Sequence, residues 1–315
     1  MMRLASDSLE ILDRFGRQVH GNVTIALQRS AKCAGAKGER ARAGPVGWVK
    51  TVRENNVRAI WKRGGAVING WLGIPSSVAA ENMAQAGWDA LTVDLQHGLV
   101  DYQAAVGMLQ AISTTSTVPF ARVPWCEPGI IMKLLDAGAY GIVCPMINTR
   151  AECEMFVGAC RYPPKGYRSF GPVRAQWYAG PDYWKHANDT VVTMAMIETK
   201  QAVENLDEIL TVPGLDSIYI GPNDLALTHG CQPSGDPTDP IVLNAIKTIV
   251  TASKKHGIYA GIHCGSTAMA KRMIEWGFQF TTLLADNALL ASAAKGVVAE
   301  MREGAPAAGK PSGSY

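Results

Sequence analysis

The chain of 315 residues is 47% hydrophobic and 18% charged, with a formal net charge of +3. That composition suits a soluble globular protein large enough for one sizeable α/β domain. So small a net charge gives no electrostatic ground for a nucleic-acid or membrane partner, and no apolar run approaches the roughly 20 residues of a spanning helix.

Residues 1–46 read as a poorly structured extension, with at most a short helix near Ser8–Arg17. The stretch "QRSAKCAGAKGERARAGP" shows no sustained period. Asp7, Glu10 and Asp13 break up any secretory or mitochondrial leader. Residues 305–315 read as a flexible tail. Seven cysteines with no CxxC pair read as reduced, mostly buried thiols of a cytoplasmic protein.

Between the termini, residues 47–304 alternate. Short apolar runs rich in β-branched residues predict strands: "AVINGWLG", "ALTVDLQ", "VPFARVP", "GIVCPMI", "TVVTMAMIE", "SIYIGP", "IYAGIHC" and "FQFTTLL". A helical pattern follows each: Ser76–Ala86, Asp101–Ser113, Pro128–Ala137, Thr149–Cys160, Lys200–Leu210, Pro240–His256, Thr267–Trp276 and Ala288–Arg302. Several open on a cap, and "TRAE" at Thr149 has the capping-box pattern. Eight βα units in succession predict a (β/α)8 TIM barrel. The other candidate, an open doubly wound sheet, lacks its Gly-rich fingerprint: "WLGIPSS" follows the first strand instead. The segment Tyr162–Asp189 is too long for an ordinary connection and reads as a folded excursion, a lid or a subunit contact.

Barrel chemistry sits at the carboxyl ends of the strands. The residues expected there are Asp94, Gln96 and His97 after strand two, Arg122 after strand three, and Glu198 after strand five. Asn223 and Asp224 follow strand six, His263 strand seven, and Asp286 strand eight. Asp224 could simply cap a helix, and His263 and Asp286 read as structural. Glu198 lies in a strongly apolar run, where an uncompensated carboxylate is costly. Asp94 and His97 meet only if the chain bends after the strand. Taken together, two carboxylates on adjacent strands can hold one divalent cation, Mg²⁺ foremost, with waters and substrate completing the shell. Arg122 offers a planar donor fork, and a histidine moves protons near neutrality. That set suits formation of the enolate of a 2-oxo acid.

The segments "WLGIPSSVAAENMAQAGWDALTVDLQHG", "PFARVPW", "MIETKQAVENLDEIL" and "IYIGPNDLALTHG" resemble the HpcH/HpaI aldolase family, the metal-dependent class II pyruvate aldolases. The likeness runs from about Arg53 to Glu303 and extends to macrophomate synthase, a relative that decarboxylates oxaloacetate. The resemblance implies a (β/α)8 barrel of the pyruvate-binding type, assembled as a hexamer of dimers that exchange their last helix. It implies Glu198 and Asp224 as ligands of Mg²⁺, Mn²⁺ or Co²⁺. It gives Arg122 the keto oxygen, His97 the general acid/base role, and Asp94 the task of orienting His97. Gly221, Pro222, Asn223 and Asp224 would receive the pyruvyl carboxylate. Two positions depart from the family pattern: Met196 stands where a glutamine is usual and Gln96 where a glutamate is usual. The implied reaction is reversible aldol cleavage of a 4-hydroxy-2-oxo acid (of the heptanedioate or 2-dehydro-3-deoxy-sugar-acid type) to pyruvate and an aldehyde. Decarboxylation of oxaloacetate through the same enolate is the alternative.

Overall fold

The computed structural model describes residues 52–303; the calls on residues 1–46 and 305–315 lie outside them. The strands run β1 Val67–Leu72, β2 Ala90–Asp94, β3 Val118–Arg122, β4 Gly141–Cys144, β5 Val192–Met196, β6 Ser217–Ile220, β7 Tyr259–Cys264 and β8 Phe280–Ala285. Each pairs in parallel with the next, and β8 returns to β1, closing the barrel. The predicted (β/α)8 barrel is therefore the fold, and all eight predicted strands are present.

Short polar side chains start the helices where the sequence places them. Ser76, Asp101, Thr199 and Ser266 each accept from the backbone N–H three residues on. Thr149 and Glu152 close the expected capping box before Arg150–Cys160. At the other end of Pro240–His256, Gly257 takes φ 70°, the left-handed cap that glycine adopts without a Cβ clash. The predicted helix over Lys200–Leu210 is two short helices, Lys200–Glu204 and Leu206–Leu210, joined at Asn205.

Besides Pro222–Thr228, which follows β6 directly, three helices carry no prediction. Asn56–Lys62 closes the strand-starting end of the barrel: Trp61 stacks on Tyr259 at 4.3 Å and donates to the Gln279 carbonyl. Val173–Ala179 and Tyr183–Thr190 lie inside the long excursion. That excursion packs at the same end. Tyr183 stacks on Tyr140, the residue before β4, and Arg174 donates to the Ala137 carbonyl. Arg168, 1% exposed, is held by Asp136 and the Tyr183 hydroxyl. It is no lid over the strand-ending face.

Side chains fill the barrel in tiers. Phe120 and Phe280 meet at 5.5 Å, and Tyr219 packs on Phe280 at 6.3 Å. Beside them sits a fully buried polar tier of Asn69, Thr92 and Thr282. No helix among the described residues is long and apolar enough to cross a membrane.

Candidate active site

At the strand-ending face a cavity of about 160 Å³ is lined by His97, Arg122, Met196, Glu198, Tyr219, Gly221 to Asp224, and His263. A larger cavity, about 550 Å³, opens at the opposite end around Arg58, Arg161, Lys165 and Asp216. Its cations are already paired: Arg58 and Arg161 with Asp216, Lys165 with Asp189. The smaller one is the candidate site, since it gathers the strand-end residues that the sequence singles out.

Asp94 and Arg122 end neighbouring strands in register. Arg122 donates from Nε to Asp94 Oδ1 at 2.8 Å and from Nη2 to Oδ2 at 2.6 Å, a two-point fork. Trp71 Nε1 also donates to Oδ2 at 3.0 Å, and its ring lies 4.7 Å below the guanidinium. Burial alone would raise the Asp94 carboxyl. The Arg122 hydrogen bonds and charge outweigh it, with help from Trp71 and the Gln96 N–H, and hold the carboxyl below its ordinary range. Among the described residues Arg122 Nη1 has no hydrogen-bond partner.

The bend required after Asp94 exists. The backbone N–H groups of Gln96 and His97 fold back onto Asp94 Oδ1, at 3.0 and 3.3 Å. Gly98 makes this possible, since a Cβ there would lie 2.3 Å from the Asp94 carbonyl oxygen. Asp94 thus grips the His97 backbone while its carboxylate is committed to Arg122 and Trp71. The His97 imidazole is exposed at the cavity rim, and among the described residues it has no hydrogen-bond partner.

Across the cavity, Glu198 is 2% exposed and accepts from the Met146 N–H at 2.9 Å. Burial pushes its carboxyl up to about 7; the Met146 N–H opposes the shift, Asp224 adds to it, and Arg122 opposes it. Gly221 lets the two acidic segments meet, because a Cβ there would fall 2.4 Å from Glu198 Oε2. Asp224 is half-buried in the first turn of Pro222–Thr228. Pro222 has no N–H, so Asn223 and Asp224 carry the free backbone donors of that turn. Neither Glu198 nor Asp224 is in an ion pair among the described residues.

His263 is half-buried. Its Nδ1 lies 3.1 Å from the Tyr219 hydroxyl, and its ring stands edge-on to Trp71 at 5.3 Å. Burial, with Arg122 nearby, pushes its pKa down to about 4, against a smaller pull from Asp94. Asp286 is elsewhere: it accepts from the Gly73 and Ile74 N–H groups and ties β8 to the loop after β1. Trp71 and Tyr219 are site residues that the sequence reading missed. Both lie on strands at inward positions of the two-residue alternation, which was the available signal.

A parallel barrel with an acidic pair facing a tethered guanidinium at its strand-ending mouth has the make-up of a carbon–carbon lyase. The profile of the HpcH/HpaI aldolase/citrate lyase family matches residues 70–293. A hydroxypyruvate/pyruvate aldolase of Rhizorhabdus wittichii is 43% identical over 248 residues, covering 79% of this chain and 99% of that one. A 4-hydroxy-2-oxo-heptane-1,7-dioate aldolase of Escherichia coli is 37% identical over 265 residues, 83% of this chain and all of the other (100%). Among solved structures, a family protein from Burkholderia cenocepacia superimposes with a TM-score of 0.74 at 31% identity, over 79% of this chain and 99% of that one. Macrophomate synthase does so with 0.72 at 25% identity, over 81% and 91%. The chain belongs to the HpcH/HpaI aldolase/citrate lyase family and is a carbon–carbon lyase, as the sequence motifs imply.

Proposed function

We propose that the protein cleaves a 4-hydroxy-2-oxo acid reversibly to pyruvate and an aldehyde. The observation that carries this reading is the convergence of Arg122, the Glu198–Asp224 pair and the turn at Asn223 on one small cavity. A 2-oxo acid presents a keto oxygen and a carboxylate, the two groups that such a set would receive. The names of the two aldolase relatives point the same way.

The acidic pair fits a divalent cation. Two carboxylate side chains interact, one buried and pushed up towards neutrality, and neither is in an ion pair among the described residues. Mg²⁺ characteristically takes one or two carboxylates and leaves its other positions to water and substrate; Mn²⁺ and Co²⁺ are the other candidates. Such an ion, held by Glu198 and Asp224, supplies positive charge at the keto oxygen and carboxylate. Arg122, fixed by Asp94, meets the negative charge that develops on the keto oxygen as the C3–C4 bond breaks. His97 at the rim takes the proton of the C4 hydroxyl and later returns one to C3. Asp94 serves by holding Arg122 and the His97 backbone in place.

The last helix, Asp286–Arg302, leaves Leu290, Val297 and Met301 exposed, consistent with a homo-oligomer of paired chains, a hexamer in the family pattern. Six free cysteines among the described residues suit the cytoplasm. The small-molecule partners are the 2-oxo acid and the aldehyde.

The test is to incubate the purified protein with pyruvate and a panel of aldehydes, with Mg²⁺, with Mn²⁺ and with chelator, and to identify adducts. Metal-dependent aldol products are expected. Carbon dioxide release from oxaloacetate, with no adduct from any aldehyde, would replace the aldolase reading by decarboxylation.

A further inference from the structure

A chain of buried polar groups runs through the barrel, and none of the chemistry above uses it. Thr92 Oγ1 donates to Asn69 Oδ1 at 3.1 Å, and Asn69 Nδ2 donates to Thr282 Oγ1 at 2.9 Å. The Thr282 side chain also lies beside the Tyr219 hydroxyl and opposes the rise that burial gives its pKa. Tyr219 lies 3.1 Å from His263 Nδ1. Asn69, Thr92 and Thr282 are fully buried and Tyr219 is 1% exposed, so water does not compete along the chain.

One direction of these bonds gives every hydroxyl proton an acceptor. Each hydroxyl has a single proton to give. Thr282 accepts from the Asn69 amide, which leaves its own proton free for the Tyr219 oxygen. Burial keeps the Tyr219 phenol protonated, and in this arrangement its proton points to His263 Nδ1. A neutral imidazole that accepts at Nδ1 carries its hydrogen on Nε2. His263 is neutral at pH 7, because its pKa is pushed down to about 4. Among the described residues Nε2 has no partner, and the side chain lines the active-site cavity.

We propose that His263 is a substrate-binding residue whose Nε2–H, oriented through Tyr219, Thr282, Asn69 and Thr92, donates to a hydroxyl oxygen of the substrate. The proposal rests on the aldolase reading and sharpens it into a preference for hydroxylated substrates. Arg122 and the acidic pair are occupied by the 2-oxo acid head, and Met196 is apolar. His263 is thus a donor open to an oxygen beyond that head. The hydroxyl can stand on C3 of the 2-oxo acid or on the aldehyde, and the shared chemistry is an acceptor oxygen within reach of β7.

A site built to hydrogen-bond a hydroxyl rejects the analogue lacking it, here by about 10- to 100-fold for a half-buried donor. The test compares kcat/KM for hydroxypyruvate against pyruvate with one aldehyde, and for glycolaldehyde against propanal with pyruvate. Wild type is expected to favour the hydroxylated member of at least one pair. The pair that responds shows which half carries the oxygen. His263→Leu and Tyr219→Phe should bring that preference towards unity; the phenylalanine retains the ring stacked on Trp71 at 5.8 Å. In parallel, nitrogen-15 NMR of wild type should show His263 in the Nε2–H tautomer, and Tyr219→Phe should show a mixture. An Nδ1–H tautomer in wild type, or preferences unmoved in both variants, overturns the proposal. Failure of wild type to form any aldol product would overturn the aldolase reading instead, and the tautomer measurement would still decide the orientation of His263.

Discussion

Arg122 shows how a charged side chain is made both rigid and available. Asp94 takes its Nε and one Nη2 hydrogen, Trp71 supports the flat face, and Nη1 is left to meet substrate. Arg122→Ala should lower kcat by about 100- to 1000-fold, the usual loss for a preorganised electrostatic group. Arg122→Lys should recover little, since an ammonium cannot make the two-point fork with Asp94. Steady-state rates beside circular dichroism check both, and near-wild-type turnover of the alanine variant would remove Arg122 from the mechanism. The same pair links stability to pH. Asp94 has a folded-state pKa below its ordinary 3.8, so its contribution is complete above the unfolded value and is lost as pH falls through the folded one. Asp94→Asn should therefore be less stable than wild type at pH 7, and the gap should narrow below about pH 4. Urea unfolding at pH 7 and pH 3.5 measures the difference.

Among the elements, strand runs and capped helices were readable because their signals are local: β-branched runs, a Ser, Thr or Asp cap, a Gly stop. The residues Arg122, Glu198 and Asp224 were readable because a polar residue at the end of an apolar run stands out. What could not be read depends on neighbours distant in sequence. Asp94 looked like a partner for the His97 ring, yet its carboxylate is taken by a residue 28 positions on. Tyr219 and Trp71 carry no site signal of their own in the sequence; the closed barrel brings Tyr219 to the cavity and Trp71 onto Asp94 and Arg122. The helices Val173–Ala179 and Tyr183–Thr190 are short and weakly patterned, and tertiary contacts hold them: Arg174 to the Ala137 carbonyl, Arg168 to Asp136 and Tyr183. Because that excursion closes the strand-starting end, its effect should fall on stability. Arg168→Leu, which strands Asp136 and the Tyr183 hydroxyl, should cost about 3 kcal/mol. KM should stay unchanged in the folded fraction. A change in KM without loss of stability would place the excursion at the active site after all.

For the whole molecule, the two ends of the barrel divide the work. One end is closed by Trp61, Tyr183 and paired arginines; the other keeps an acidic pair and a guanidinium facing open space. The last helix belongs to neither, since nearly all of it after Asp286 is exposed. In the oligomer proposed here, Leu290 and Val297 are covered by another chain. Leu290→Glu with Val297→Glu should then lower the mass measured by light scattering after gel filtration. A wild type that elutes as a monomer would exclude the assembly.

That bare stripe on the final helix also makes resistance to heat a matter of dosage. If Leu290, Val297, Val298 and Met301 find shelter only on a neighbour, mass action joins folding to association. The melting point should then climb as the sample is concentrated and sink on dilution. Activity in a very dilute assay would fade with time.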